Sequence, residues 1–380
     1  MESGTAVTEW AATVPLVDHH VHSTFTKPVT RARFEESISE GSHDPIPPWM
    51  TQFDSQLGFA IRAFCAPLLD LEAHAPADDY WARRAELGEV EVAGRLLRAA
   101  GVSDWLVDTG YKGSELAPFR DVGAISGGAV HEIVRLESLA ELLAAAGCTA
   151  SSYADELRSL LSAATSGAVG TKTIAAYRTG LDIDWAPPSV AAVAAAAGRW
   201  LSAAGPEPRL DDPVLIAFGV HTAATLGLPI QVHVGFGDRD LDLHRTDPML
   251  LLGLLRHPAI AQVPVTLLHC YPFHRQAGYL AQAFDNVYFD VGAIVNYVGA
   301  RSRAIVAESL ELAPFAKILF SSDAWGPAEL HYLGAMLWRR AMGEIIRGWV
   351  GEGHWSEADG MRVIAMVANG NARRVYGLPL

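Results

Sequence analysis

Cysteine is scarce in this sequence. The three cysteines, Cys65, Cys148 and Cys270, are widely spaced and include no Cys-x-x-Cys pair. Small domains that depend on disulfides carry an even, dense set of cysteines, and these bonds persist in oxidising compartments. The odd count and wide spacing therefore argue against a disulfide framework and indicate a reducing compartment.

Positive charge is also in short supply. Lys and Arg number 29 against 43 Asp and Glu, which gives a formal net charge of -14, and no cluster of basic residues offsets the excess. A chain of this charge repels phosphate backbones and anionic lipid surfaces on average. We therefore expect neither a nucleic acid nor a membrane as its partner.

Long apolar runs are absent as well, since none approaches the roughly 20 residues that span a bilayer. The opening MESGTAVTEW lacks the basic and apolar segments of a signal peptide, so we expect a cytoplasmic protein. Half of the 380 residues are nevertheless hydrophobic. That content can form a large core in one large domain or two ordinary ones.

Eight short apolar runs alternate with segments of helical length and pattern. Most are rich in Val, Ile or Leu at consecutive positions, as is typical of strands covered on both faces. The alternation predicts an α/β fold, a (β/α)8 TIM-type barrel, with a doubly wound sheet as the main alternative. The runs are VDHHVH (17–22), SDWLVDTG (103–110), GGAVHEIVRLE (127–137), SGAVGTKTIAA (166–176), LPIQVHVG (228–235), VPVTLLHC (263–270), NVYFDVG (286–292) and AKILFSSD (316–323).

A long segment separates the first two runs. GSHDPIPPW breaks regular structure, and the residues from about 53 to 100 have a helical pattern. We interpret residues 27–100 as a mainly helical insertion after strand 1. No internal repeat and no Ser-, Gly- or Pro-rich linker divides the chain, so we predict a single domain over residues 1–380.

The first run is unusual because it ends in histidines. Alternate side chains of a strand share a face, so His20 and His22 lie together with Asp18, while His19 faces the opposite side. Imidazole nitrogens bind divalent ions such as Zn2+, and two imidazoles on one face can bind the same ion. The run therefore predicts a metal site on His20 and His22.

Later runs carry groups of matching chemistry near their carboxyl ends. These are Lys172, His233, His269 and Asp323. A single buried histidine is more often a hydrogen-bonded core residue, and a single aspartate after a strand is often a helix cap. In a (β/α)8 barrel, however, all carboxyl ends meet at the face that holds the active site. Five strand ends with such groups therefore predict a metal centre.

Lys172 requires a separate hypothesis, because an ammonium group is unfavourable beside metal cations. A buried lysine can lose its proton. The neutral amine near a metal can then take up CO2 to form a carbamate that bridges two ions. We predict such a carbamate on Lys172.

The ordered set His-x-His, Lys, His, His and Asp resembles the amidohydrolase superfamily, in particular its amidohydrolase-2 type. Within it, the sequence resembles more closely the branch that contains plant nodulin-like proteins and the amino-terminal domain of the fungal regulator FluG. Besides VDHHVH, the likeness covers most of the chain from Ala168 onward. The similar segments are KTIAAYRTGLDI, LPIQVHVGFGDRDLDL, LLHCYPFHRQAGYLAQAFDNVYFDVG, KILFSSDAWGPAEL and NARRVYGL.

The resemblance implies a divalent metal cofactor, one ion or two. Zn2+ is the expected metal, with Mn2+ as the alternative. His20 and His22 would bind one ion. His233 and His269 would bind the second ion or contact the substrate, and Lys172 would form the bridge.

The resemblance also implies catalytic roles. Asp323 would bind metal and accept a proton from the attacking water, which it later gives to a leaving amine. Asp323 and His269 are the expected catalytic residues. A carboxylate within reach of the water and the leaving group is a suitable general base and acid.

Two arginines offer a handle on the substrate. Arg178 and Arg275 each follow a predicted ligand by six residues, just past a predicted strand. A guanidinium matches a carboxylate, so with the adjacent Tyr177 they form the expected substrate-binding set. Either arginine could instead pair with a structural carboxylate such as Asp182 or Asp285.

These expectations describe a hydrolase that uses metal-activated water to cleave an amide (C–N) bond of a small carboxylate-bearing substrate, with a γ-glutamyl amide as the leading candidate. A mononuclear metal-dependent decarboxylase or other lyase is the first alternative. A regulatory barrel without catalysis is the second, although the complete ligand set argues against it. Whether the chain forms a homo-oligomer is left open.

Overall fold

The computed structural model describes residues 5–41, 45–111 and 115–379. Seven parallel strands form one sheet, and they lie in it in the same order as in the chain. The strands are β1 (Leu16–Val21), β2 (Val102–Asp108), β3 (Ala129–Arg135), β4 (Gly170–Thr173), β5 (Ile230–Val234), β6 (Val265–His269) and β7 (Val287–Phe289).

An extended segment, residues 318–324, joins the last strand to the first. On one side, Leu319 N–H donates to the carbonyl of Phe289 in β7 (3.0 Å). On the other side, His19 N–H of β1 donates to the carbonyl of Phe320 (3.2 Å). The segment therefore occupies the place of an eighth strand. The predicted (β/α)8 TIM-type barrel is confirmed, and the doubly wound alternative is wrong because the strand order never reverses.

The run at 316–323 differs from the prediction, because it is not a regular strand. Its only ladder contact to β7 is the isolated pair Phe289 and Ile318. The Ile318 carbonyl accepts a hydrogen bond from the Asn371 side chain (2.8 Å). Asp323 adopts a φ of 49°, which no regular strand contains. Regular pairing therefore fails here although the segment completes the barrel.

Helices connect the strands and cover the outside of the barrel. In the first part of the chain they are α1 (Thr5–Thr13), α2 (Arg31–Ser37), α3 (Gln56–Ala60), α4 (Ala77–Leu87), α5 (Glu89–Ala99), α6 (Asp121–Ser126), α7 (Leu136–Ala145), α8 (Tyr153–Ala164) and α9 (Ala175–Arg178). In the remainder they are α10 (Val190–Ala203), α11 (Pro213–Ala224), α12 (Leu252–Leu255), α13 (His274–Ala283), α14 (Ile294–Tyr297), α15 (Ser302–Ser309), α16 (Ala328–Gly351), α17 (Glu357–Ala365) and α18 (Asn371–Tyr376). Within the described ranges, none of them combines the length and the apolar composition that a bilayer crossing requires.

The sheet is covered on both faces. Every residue of β1, β4, β5 and β6 is buried. This burial explains the unbroken apolar runs, since one face of each strand points into the barrel and the other packs under helices. Polar side chains inside these strands therefore need internal partners.

The predicted insertion after the first strand is confirmed. Between the end of β1 at Val21 and the start of β2 at Val102, the chain forms α2 to α5 with short π- and 3₁₀-helical turns between α3 and α4. Residues 42–44 of the insertion lie outside the described part. The assignment of residues 1–380 to one domain stays a prediction.

A buried ion pair links the insertion to the barrel. Arg84 of α4 donates from Nε to Glu329 of α16 (2.7 Å) and from Nη1 and Nη2 to Glu89 of α5 (2.6 and 2.8 Å). The three side chains are at most 6% exposed, and Tyr80 also donates to Glu329 (2.8 Å). Removing one partner of a buried pair leaves an uncompensated charge.

We expect Arg84→Met to destabilise the fold by about 3–5 kcal/mol, because Glu329 and Glu89 then lose their cation. Arg83 is the matched control, since it pairs with Asp70 and Glu86 at the surface, where ion pairs contribute little. Urea unfolding of both variants measures the difference. If Arg84→Met lost no more stability than Arg83→Met, the buried pair would not hold the insertion.

Candidate metal centre

The predicted site residues meet at one end of the barrel. The ring centroids of His20 and His22 lie 5.2 Å apart, and those of His20 and His269 lie 5.4 Å apart. The ring centroids of His233 and His269 lie 4.7 Å apart. Lys172 Nζ lies 2.8 Å from His20 Nε2. The carboxyl ends of β1, β4, β5 and β6 therefore converge as the sequence predicted.

Three of these side chains form a cluster that fits one metal ion. Asp323 Oδ1 lies 3.1 Å from His20 Nε2 and 3.7 Å from His22 Nε2. All three ligand atoms lie within 4.8 Å of one another. Bonds of about 2.0–2.2 Å to a tetrahedral Zn2+ place ligand atoms roughly 3–4 Å apart. The spacing of His20, His22 and Asp323 matches this requirement.

Hydrogen bonds set the orientation of both β1 histidines. His20 Nδ1 lies 2.8 Å from Gln231 Oε1, and the Gln231 amide donates in turn to the carbonyl of His19 (2.7 Å) and to Tyr376 (2.9 Å). His22 Nδ1 donates to the backbone carbonyl of Asp108 (3.2 Å). With Nδ1 carrying the proton, each Nε2 keeps a lone pair for a metal.

Two further histidines have buried nitrogens without a hydrogen bond, although His269 Nδ1 lies 3.3 Å from Asp323 Oδ2. Among the described residues, nothing forms a hydrogen bond with His233 Nε2 or with either ring nitrogen of His269. An unsatisfied buried polar group costs about 1–3 kcal/mol. A metal ion or a substrate in the centre would satisfy these nitrogens, so the donor set fits a bound cation.

Burial keeps the histidines in the form that binds metal. It lowers the pKa of His22 to about 3, and it lowers the pKa values of His20, His233 and His269 well below the usual range. These imidazoles are therefore neutral near pH 7. Burial also raises the pKa of Asp323 well above its usual value, and a nearby divalent cation would oppose that shift.

The backbone is strained at two site residues. His269 and Asp323 have φ values of 68° and 49°, which cost on the order of 1–3 kcal/mol at residues other than glycine. Asp290 Oδ1 accepts from His269 N–H (2.9 Å), while Asp323 N–H donates to the carbonyl of His20 (3.1 Å). The surrounding hydrogen bonds thus hold His269 at the end of β6 and Asp323 in the closing segment 318–324.

Lys172 contacts a carboxylate that the sequence analysis missed. Lys172 Nζ lies 3.4 Å from Asp108 Oδ2, and the same oxygen accepts from Arg135 at 2.6 and 3.1 Å. Burial lowers the pKa of Lys172, which is 3% exposed. A strand-end signal could have revealed Asp108 and Arg135, because they are the last residues of β2 and β3.

A cavity of about 240 Å3 opens beside the cluster and is lined by His22, Lys172 and Asp323. Two predicted substrate residues also line it. Tyr177 packs its ring 4.4 Å from the His233 ring. Arg178 is largely buried and pairs with Glu141 (2.9 Å).

Arg275 lies elsewhere. It does not line the cavity, its side chain is 60% exposed, and it binds Glu311 at 2.9 and 3.1 Å with Glu308 3.4 Å away. We correct the expected substrate set accordingly. The spacing after His269 misled the prediction because residues 274–283 form α13, which carries Arg275 to the surface.

A comparison with family models identifies the lineage. Residues 128–378 match the model described as "Amidohydrolase". The chain belongs to the amidohydrolase family. The family and the cluster of His20, His22 and Asp323 together support a metal-dependent hydrolase with a divalent ion.

Individual relatives agree with this assignment. The amidohydrolase is 26% identical over 404 aligned residues to protein fluG of Emericella nidulans, and the match covers 96% of this chain and 46% of the relative. The chain thus spans about half the length of the curated relative it matches. This similarity supports the placement in the branch with the FluG amino-terminal domain.

Solved structures extend the comparison. A crystal structure from Lactobacillus casei ATCC 334, provisionally assigned as a metal-dependent hydrolase, superposes with a TM-score of 0.87 at 27% identity over 99% of this chain and 98% of that one. A uronate isomerase from Bacillus halodurans C-125 superposes with a TM-score of 0.64 at 14% identity over 98% and 96% of the two chains. At 14% identity, the likeness to the uronate isomerase shows only that the two chains share a fold.

We expect His22→Ala to weaken metal binding by more than about 100-fold, because it removes a ligand rather than an outer-shell residue. Metal content after dialysis against a fixed free Zn2+ concentration measures this. His354→Ala is the control, since that histidine is 69% exposed at the surface. Full occupancy of the His22 variant, or of the His20→Ala/His22→Ala double variant, would contradict the assignment.

Gln231→Leu should reduce metal affinity by about 10–100-fold, because the shape is kept while His20 Nδ1 loses its acceptor. The same dialysis measures the affinity, and a melting curve checks the fold. An unchanged affinity would show that Gln231 does not orient the His20 ring.

Proposed function

We propose that this amidohydrolase cleaves an amide (C–N) bond in a small substrate that carries a carboxylate, with a γ-glutamyl amide as the first candidate. The observation that carries the proposal is the cluster of His20, His22 and Asp323 at the wall of a cavity that also contains Arg178. A metal-binding cluster and a cationic group in one cavity suit an anionic amide.

The metal would be held by His20, His22 and Asp323, with Zn2+ as the first choice and Mn2+ as the second. When bound, it would supply Lewis-acid activation of water and of the amide carbonyl. His233 and His269 would complete the set, either on a second ion or on the substrate, since their buried nitrogens need a partner.

Asp323 would carry the proton. Asp323 Oδ1 lies 3.1 and 3.7 Å from the Nε2 atoms of His20 and His22, and Oδ2 lies 3.3 Å from His269 Nδ1, so Oδ1 would face the metal and Oδ2 would be left to accept a proton. It would accept the proton from water and deliver it to the leaving amine. His269 would orient the Asp323 carboxylate and contact the substrate.

The carboxylate of the substrate would bind near Arg178 and Tyr177. Arg178 is 9% exposed, and its Nε is buried without a hydrogen-bond partner among the described residues. A guanidinium in a poorly hydrated cavity binds a carboxylate more strongly than at a surface. Glu141 fixes the Arg178 head group through Nη1.

A second candidate function follows from the contact between Lys172 and Asp108. Asp108 favours the ammonium form of Lys172, whereas a carbamate there would place a second anion near the Asp108 carboxylate. With a cationic Lys172, a one-metal lyase that decarboxylates a small acid becomes the alternative. The carbamate with two ions is the form we propose for the hydrolase.

Metal analysis separates these states. Two ions per chain together with a 13C-labelled carbamate signal on Lys172 after exposure to labelled CO2 would support the bridged form. One ion and no such signal would favour the one-metal form. The same preparation should be tested for activity on γ-glutamyl amides, acyl amino acids, lactones and aromatic acids.

On a hydrolysed amide, Asp323→Asn should lower kcat by about 10²–10⁴-fold, because an amide side chain keeps the shape but cannot accept the proton. The assay needs excess metal, so that weaker metal binding does not mimic the effect. Asp359→Asn is the control, since Asp359 pairs with Arg362 on the surface of α17. A fully metallated Asp323 variant that kept more than about a tenth of the wild-type rate would show that the proton goes elsewhere.

A further inference from the structure

Arg135 occupies a distinctive place in the cavity. It is the last residue of β3, and it pairs in register with Lys172 of β4. Its side chain is 8% exposed and lines the same cavity as Lys172 and Asp323. It is therefore a buried cation at the wall that faces the metal cluster, and the function proposed above has not used it.

The Arg135 guanidinium is fixed from one side. Among the described residues, Arg135 donates only to Asp108, through Nε and Nη2 to the same oxygen Oδ2. The other oxygen, Oδ1, accepts from Gly110 N–H (2.9 Å). The Arg135 group lies 5.6 Å from the centre of the Tyr111 ring. Asp108 and Tyr111 therefore hold the head group, while Nη1 keeps its donors.

The surrounding backbone is shaped for this arrangement. A Cβ at position 110 would lie 2.5 Å from the Arg135 Cβ, which is closer than atoms pack. Only glycine fits there without displacing Arg135. The close approach of the Gly110 backbone thus helps to fix the position of the Arg135 side chain.

The cavity is lined by side chains of both charges, and its basic residues include two guanidinium groups, Arg135 and Arg178, while its acidic residues are Glu40, Asp238, Asp240 and Asp323. Lys172 Nζ and Arg135 Nη2 lie 3.4 and 2.6 Å from the same oxygen of Asp108. Arg178 lines the same cavity as Arg135, and burial, against the opposing effect of Glu141, lowers the pKa of Arg178, with a smaller contribution from repulsion by Arg209 and Arg135. An anion between these guanidinium groups would be stabilised by both.

We propose that Arg135 receives the carboxylate of the substrate through Nη1, with Arg178 as the second contact, so that Arg135 determines specificity for an anionic amide. This inference rests on the proposed function, which it makes more specific. It places the carboxylate in the cavity that His22 and Asp323 also line. A small substrate could therefore contact Arg135 and the candidate metal ligands in the same cavity.

Calorimetric binding of two matched probes to the metal-loaded protein tests the proposal. Glutaramate and glutaramide have the same chain length and share a carboxamide at one end. At the other end, glutaramate has a carboxylate and glutaramide has a second carboxamide. The wild type should bind glutaramate at least about tenfold more tightly, as expected for a charge-assisted hydrogen bond.

Four variants locate the source of that preference. The Asp108→Asn/Arg135→Gln double variant replaces the buried pair with neutral groups, which avoids an unpaired Asp108, and it should bind both probes within about threefold. Arg135→Lys keeps the charge without the fork and should show an intermediate preference. Arg178→Met should reduce the preference only partly. Arg275→Gln, at the surface, should keep the wild-type ratio.

Three results would overturn the proposal. The first is equal or undetectable binding of the two probes by the wild type. The second is a wild-type ratio in the folded double variant, and the third is complete loss of the preference in Arg178→Met alone. The ratio of the two binding affinities does not depend on turnover. If the protein hydrolysed no amide but its preference for glutaramate still depended on Arg135, the proposed function would be rejected while the anion site at Arg135 would stand.

Discussion

The closure of the barrel is the interaction on which the candidate metal centre depends. Asp323 N–H donates to the carbonyl of His20, and His22 N–H donates to the carbonyl of Ala324 (2.8 Å). The same residues place the Asp323 carboxylate between the two β1 imidazoles. The same backbone pairing of the first and last segments therefore closes the barrel and brings the candidate ligands together. A change in the register of either segment would separate them.

The parts of this site that the sequence predicted are those governed by periodicity. The alternation of a strand placed His20 and His22 on one face, and the shared carboxyl ends of parallel strands brought Lys172, His233 and His269 to the same rim. These rules need no knowledge of contacts. The barrel itself followed from the same regularity, and so did the position of the helical insertion.

The parts that the sequence did not predict depend on contacts between distant segments. Asp108 and Arg135 form an ion pair across the neighbouring strands β2 and β3. Neither residue lies at a fixed distance along the chain from a predicted ligand that could have identified it. Arg275 lies one residue into a helix, so its distance along the chain from His269 says little about its direction. The irregular eighth segment reflects the Asn371 side chain, which bonds to the carbonyl of Ile318 from a helix near the end of the chain.

Because of the buried ion pair between Arg84 and Glu329, protein engineering cannot treat the insertion as a removable unit. Glu329 lies in the first turn of α16, six residues after Asp323, so the insertion anchors the helix that directly follows a candidate metal ligand. Excising the insertion, or exchanging it with that of a relative, would leave Glu329 without its cation beneath the rim. Chimeras should therefore be cut so that Arg84, Glu89 and Glu329 are exchanged together.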